Sequence, residues 1–329
     1  MSAVLAAHPG WLVTLLLLLL AALIAALVLW LQSARRFRGT QSVAEAYDRW
    51  TNDALLERLW GEHIHLGHYG DPPQRRDFRQ AKHDFVHELV RWSGLDQLPA
   101  GARVLDVGCG IGGSSRILAR SYGFEVLGIS ISPAQIARAQ TLTPVPLNQH
   151  CRFAVMDALQ LELDNQEFDA VWSVEACPHM ADKQRYADEL LRVLKPGGRL
   201  AIADWNRRDP SQGDLSVVER WVMRQLLDNW AHPEFASIES LQAHLQGSLH
   251  AAGITIETGD WSIATLPSWF ESILEGARRP AAVLGQGLRG VGLGLREVPT
   301  LVLMHWAFAT GLMRFGVFRG QKPLCQKPL

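Results

Sequence analysis

The sequence predicts an α/β fold built on a doubly wound, parallel sheet, and three observations carry that reading. Short β-branched runs recur at 103–107, 125–131, 151–156, 168–174 and 199–204, with helical stretches at 114–121, 133–140 and 182–194 between several of them. That alternation is the βαβ rhythm of a sheet that takes its ligand at the carboxyl ends of its strands. A glycine-rich turn joins the first run to the first helix. Finally, 329 residues with 48% hydrophobic and 20% charged side chains can form a sizeable core.

Taken in order, the chain begins with an uncharged stretch: no Asp, Glu, Lys or Arg precedes Arg35. Trp11 to Leu31 reads WLVTLLLLLLAALIAALVLWL, as long as the roughly 20 apolar residues a membrane crossing needs. Trp11 and Trp30 close its two ends, and Arg35, Arg36 and Arg38 follow. Basic flanks stay inside, so a single-pass anchor is expected, with its N-terminus out and the catalytic part on the cytoplasmic side. A cleaved secretory signal would place basic residues before the apolar run and would be shorter. Residues 40–75 are polar and aromatic, and 79–93 have the spacing of an amphipathic helix. After the alternating region, 214–252 read as helical, 254–262 as a strand, 266–279 as a helix and 313–319 as a last, antiparallel strand. Val298 to Met313 is short for a second crossing and is interrupted by His305, so a buried or interfacial helix is expected. Four segments result: an anchor with basic flank over 1–38, a lid or helical segment over 39–98, a cofactor core over 99–210, and a helical substrate region with final strands and apolar tail over 211–329.

Balanced charge, 32 basic against 33 acidic residues, excludes the electrostatic footprint of a nucleic-acid binder. Cys109, Cys151, Cys177 and Cys325 are scattered, which supports neither a disulfide framework nor a zinc cluster. No protein partner can be inferred.

The turn reads Val-Leu-Asp-Val-Gly-Cys-Gly-Ile-Gly-Gly from Val104 to Gly113. Its spacing Gly108-x-Gly110-x-x-Gly113 also fits the dinucleotide fingerprint, so glycines alone leave the cofactor open. Three details favour S-adenosylmethionine. Asp106 precedes the first glycine, where a carboxylate meets a cationic amino-acid group. The second strand ends in Ser130 instead of a ribose-binding acid. Asp157 follows the third strand, placed to accept from an adenine amino group. Gly112, Gln135 and Ala158 complete the expected cofactor set. A second match, Gly285 to Gly290, follows a helix and reads as a flexible connector.

With Phe168-Asp169 and Val193-Leu-Lys-Pro-Gly-Gly198, this loop resembles the Rossmann-like class I methyltransferases that use S-adenosylmethionine. Trp60 to Tyr69 (WGEHIHLGHY), Trp172 to Met180 (WSVEACPHM) and Ala203 to Asp209 further resemble the tocopherol-pathway methyltransferases of cyanobacteria. His63-Ile-His-Leu-Gly-His68, Glu175-Ala-Cys-Pro-His179 and Arg296-Glu-Val-Pro-Thr300 are similar to the branch acting on a phytylated benzoquinol more than to the gamma-tocopherol branch. The resemblance implies ring C-methylation of a lipophilic prenylated quinol, at a cyanobacterial thylakoid or plasma membrane. An NAD-dependent membrane oxidoreductase is the more distant alternative.

Such chemistry needs a base for the hydroxyl ortho to the methylated carbon. Glu175 and His179, just after the fourth strand, are the expected base and hydrogen-bonding partner. Tyr47, His63, His65 and Tyr69 are expected to form a lid over cofactor and ring. The histidines match no metal-site spacing, so no metal is expected.

Overall fold

The computed structural model describes residues 9–32 and 34–324, with some side chains of the first helix and those of 288 and 289 left aside. Cys325 therefore lies outside the described residues, as does the side chain of Trp11. The first elements are helices α1 (Pro9–Gln32), α2 (Thr40–Asp53), α3 (Leu55–Trp60) and α4 (Phe78–Ser93). The alternating region follows as β1 (Arg103–Val107), α5 (Gly113–Tyr122), β2 (Glu125–Ser130), α6 (Pro133–Leu142), β3 (Cys151–Val155), β4 (Phe168–Val174), α7 (Lys183–Val193) and β5 (Leu194–Arg207). Then come α8 (Val217–Asn229), α9 (Ile238–Gln246), β6 (Thr255–Asp260), α10 (Ser262–Thr265), α11 (Pro267–Arg278), α12 (Pro280–Leu284), α13 (Gly287–Ala309) and β7 (Met313–Gln321).

Local chemistry explains many of the helix ends. Asp77 accepts from the backbone N–H groups of Arg79 and Gln80 at the start of α4, Ser132 caps α6, and Asp182 caps α7. Gly94 and Gly123 end α4 and α5 in the left-handed conformation.

The strands form one seven-stranded sheet in the order β3-β2-β1-β4-β5-β7-β6. The first five are parallel, and β7 runs antiparallel between β5 and β6. The reversal of strand order at β1 and β4 opens a crevice at their carboxyl ends. Two cores flank the sheet. One gathers Phe85, Leu118, Trp172, Trp269 and Phe315, and the other gathers Val171, Tyr186, Leu190, Ile202 and Leu241.

Three expectations need correction. Among the described residues no helix is long and apolar enough to cross a membrane, so the single-pass anchor is without structural support. The described side chains of α1 before Trp30, Leu12–Leu18 among them, are exposed. Its last turn is docked on the protein: Trp30 is buried and its indole N–H donates to Thr300 Oγ1 of α13 at 3.3 Å. Second, Gly285 to Gly290 is no flexible connector but the junction of α12 and α13, with Gly290 packed 2.2 Å from the Val283 carbonyl were it to carry a Cβ. Third, the helical stretch 214–252 breaks at 230–237, where Ala231 turns the chain with φ of 56°.

Candidate active site

The glycine loop is held by β2. The Gly108 and Cys109 N–H groups both donate to the Ile129 carbonyl at 2.9 Å. Gly108 has φ of 77°, and a Cβ there would stand 2.5 Å from that of Ala176. Only glycine lets this loop lie against the turn after β4. Beside it, Asp106 is buried and accepts from Ser115 Oγ at 2.5 Å; burial pushes its carboxyl up to about 7, against the Ser115 bond. Ser130 Oγ donates to Gln135 Oε1 at 2.7 Å, and Leu159 N–H donates to Asp157 Oδ1 at 2.9 Å. Asp106, Gly108, Gly110, Ser130, Gln135, Asp157 and Ala158 all line one cavity of about 580 Å³. Gly112 does not; its neighbour Gly113 does.

Across the same cavity stands Glu175, at the end of β4 and in the left-handed region with φ of 54°. A non-glycine residue in that region is strained, and strain of this kind collects at functional sites. Its N–H donates to the Ala203 carbonyl of β5, and its Oε1 accepts from the Leu66 N–H, both at 2.8 Å. Burial raises its carboxyl to about 8, opposed by the Leu66 bond and by Lys82. The turn Cys177–His179 follows. It is fastened by Asp204, which accepts from the Cys177 N–H at 3.0 Å, and by Lys183, which donates to the Cys177 carbonyl at 2.6 Å. His179 is thereby set against Tyr47 of α2. Its Nε2 and the Tyr47 hydroxyl share a hydrogen bond of 2.6 Å. Burial holds the imidazole neutral, down to about 3, and raises the phenol; with the hydroxyl as donor to Nε2, the ring proton sits on Nδ1. That Nδ1 has no hydrogen-bond partner among the described residues.

The segment from 61 to 69 covers α5. A Cβ on Gly113 would lie 2.3 Å from the Glu62 carbonyl oxygen, so the two backbones touch. His65 Nδ1 donates to the Leu66 carbonyl at 2.7 Å, which leaves Nε2 to accept from His63 Nδ1 at 3.1 Å. Both imidazoles are held neutral by burial. Lys82 supports the segment from below: its ammonium donates to the His63 carbonyl at 2.8 Å and lies 3.9 Å from the Trp60 ring. His63, His65 and Tyr47 face the cavity as expected of a lid. Tyr69 is outside it: it is buried beneath the segment, where its N–H donates to the Ala264 carbonyl. No group of three His, Cys, Asp or Glu side chains able to hold a metal occurs among the described residues.

Further residues wall the cavity or brace it from behind. Trp205 of β5 packs on Trp230 and on Trp269, with centroids 5.6 and 5.3 Å apart. Asp48 of α2 accepts from Ser132 Oγ at 2.5 Å and from Ala134 N–H at 3.2 Å, tying α2 to α6. Leu56 of α3, Ile273 of α11, Val283 and Leu284 of α12, and Leu295 and Leu301 of α13 extend the wall as an apolar channel. Trp230 and His232 belong to no motif in the sequence.

Comparison with known proteins bears on this geometry. Residues 105–202 match the model of a methyltransferase domain. The chain is 55% identical over 291 residues to the 2-methyl-6-phytyl-1,4-hydroquinone methyltransferase of Synechocystis sp., covering 88% of this chain and 91% of that one. The chain belongs to the tocopherol-pathway methyltransferase family. It is also 33% identical to the chloroplastic tocopherol O-methyltransferase of Arabidopsis thaliana, over 86% of this chain and 82% of that protein. A crystal structure of a sarcosine dimethylglycine methyltransferase from Galdieria sulphuraria superposes with a TM-score of 0.70 at 21% identity, over 82% of this chain and 98% of that one, which shows the shared fold. The chain is therefore a methyltransferase and S-adenosylmethionine is its methyl donor. The residues present fit that cofactor. A buried acid with a raised pKa suits a cationic amino group, and the open space at Gly110 admits a ligand close to the backbone. The dinucleotide reading of the glycines falls with this membership.

Proposed function

We propose that the chain methylates the ring of a prenylated benzoquinol, taking 2-methyl-6-phytyl-1,4-benzoquinol to 2,3-dimethyl-6-phytyl-1,4-benzoquinol in tocopherol biosynthesis. One observation carries the reading: a single cavity joins the glycine loop, a buried carboxyl with Oε1 occupied, and a long apolar wall. Its volume of about 580 Å³ falls within the roughly 300–1,000 Å³ usual for small-molecule sites.

When bound, the cofactor supplies an electrophilic methyl carbon on a sulfonium. Glu175 takes the proton of the hydroxyl ortho to the carbon to be methylated, on Oε2, because the Leu66 N–H holds Oε1. The ring carbon gains the methyl, and the hydrogen it sheds restores the hydroxyl, so the net proton remains on Glu175. His179 Nδ1–H donates to an oxygen of the ring and helps to hold it in line. The segment 61–69 excludes water above both reactants.

The phytyl tail lies along the apolar wall of α3, α11, α12 and α13. The exposed leucines of α1, docked through Trp30 beside that wall, contact lipid and keep the site near its membrane-dissolved acceptor. The test is methyl transfer by purified protein in detergent, with labelled S-adenosylmethionine and either 2-methyl-6-phytylbenzoquinol or gamma-tocopherol. Label on the benzoquinol supports the proposal; label on the chromanol alone refutes it. Flotation of the full chain with phospholipid vesicles tests lipid contact, and a chain that stays in the soluble fraction speaks against it.

A further inference from the structure

His232 lies in the segment between α8 and α9, which no motif singled out. It is 3% exposed and lines the cavity, yet neither ring nitrogen has a hydrogen-bond partner among the described residues. Buried polar nitrogens are nearly always bonded, so a ring nitrogen left without a partner beside the cavity marks a place where a ligand completes the set. The setting is specific. The ring stacks on His179 with centroids 4.2 Å apart and 30° between planes, and Trp205 stands edge-on at 5.7 Å. Ala231, held at φ of 56°, is the strained residue that turns His232 inward, and the His232 N–H donates to the Leu227 carbonyl to fix the turn. On one side of the ring the Pro178 carbonyl is near enough to favour a proton there, which leaves the opposite nitrogen as an acceptor.

We infer that His232 is a substrate-binding residue that accepts a hydrogen bond from the quinol hydroxyl para to the one served by Glu175. The stacked pair then divides its work. His179, its Nε2 occupied by Tyr47, offers a donor; His232 offers an acceptor. A flat ring carrying two para hydroxyls is the ligand class that such a pair, walled by tryptophans, selects. A phenol with one hydroxyl leaves a buried nitrogen unpaired and is disfavoured. This inference rests on the benzoquinol reading.

The experiment is a substrate-by-variant cycle with the full chain in detergent. Wild type, His232→Ala and His232→Asn each receive 2-methyl-6-phytyl-1,4-benzoquinol and the analogue lacking the para hydroxyl, and S-adenosylhomocysteine affinity is titrated alongside. The intrinsic reactivity of the two rings cancels in the ratio of ratios. Wild type should prefer the quinol by at least about tenfold beyond the preference left in His232→Ala, since a site built for a hydroxyl rejects the analogue without it. The alanine loss should fall mainly on KM, with cofactor affinity unchanged, and His232→Asn should recover part of it. Equal discrimination by wild type and both variants overturns the inference. If the alanine variant fails to fold, His232→Phe, which keeps a ring against His179 and removes the acceptor, carries the same comparison. A wild type inert toward the quinol overturns the parent reading instead, and that outcome is recognisable before any variant is assayed.

Discussion

The two halves of the cavity are built differently. On the cofactor side, Asp106, Ser130 and Asp157 each already have a hydrogen-bond partner within the chain, and the glycine loop beside them is clamped to β2. On the acceptor side, His179 Nδ1 has none among the described residues, His232 keeps a nitrogen without one, and Glu175 is held in a strained conformation. One half is set in advance for a ligand common to many enzymes. The other keeps its polar atoms free for one ring. Gly108 is where they meet, because its missing side chain is what lets the cofactor loop rest against Ala176, next to Glu175.

The largest effect should come from removing the acceptor half's base while keeping its shape. Glu175→Gln is expected to lower kcat by about 10²–10⁴-fold, measured as initial rates at saturating cofactor. Next is an attack on the contact between the halves. Gly108→Ala adds a methyl into a 2.5 Å gap at φ of 77°, at about 2–4 kcal/mol from strain and overpacking. Both cofactor affinity and turnover should fall together, which a calorimetric titration and a rate assay would show. Turnover alone falling would mean that the loop tolerates the shift.

The pH dependence sharpens the same contrast. Glu175 must be ionised to act, and its carboxyl is raised to about 8. The kcat/KM of the free enzyme should therefore rise about tenfold per pH unit below that value and level off above it. The sign for stability is opposite. Between the unfolded value near 4.5 and about 8, the native state keeps a proton that the unfolded chain has lost, so this group makes stability fall as pH rises through that window. Asp106, raised to about 7, acts in the same direction over 3.8 to about 7. Chemical denaturation at pH 5 and pH 8 would show it, and Glu175→Gln should flatten its share. The smallest effect belongs to the latch. Asp48→Ala removes the acceptor for Ser132 and Ala134 and should cost about 1 kcal/mol of stability, with a modest rise in the cofactor's dissociation constant.

The cofactor half was legible in the sequence for the same reason that it is rigid: its residues sit at fixed offsets along a strand, a turn and a helix. Asp106, Gly108, Ser130 and Asp157 could be read from strand ends alone. Glu175 and His179 are legible as residues that follow β4, and 313–319 as a final strand. Tyr69 was misplaced because the chain turns at 70–73 and drives its ring inward. Pro233 breaks the stretch 214–252 beside Ala231, but a helix breaker does not say where the chain then turns, so Trp230 and His232 reach the cavity through tertiary packing against β5 and His179. Lys82 was obscured similarly: on an amphipathic helix a lysine reads as a solvated face, whereas here it is buried over Trp60. The N-terminal run was read for length and lack of charge, neither of which reveals that Trp30 bonds Thr300.

The central claim is that Glu175 serves the acceptor and not the cofactor. Titrating S-adenosylhomocysteine into Glu175→Gln tests it most directly. The account predicts a dissociation constant within about twofold of wild type, since the carboxyl's hydrogen bond inside the protein is to the Leu66 N–H and an amide oxygen can accept it. A loss of tenfold or more, about 1.4 kcal/mol, would make Glu175 a cofactor-orienting acid and contradict the division of the cavity.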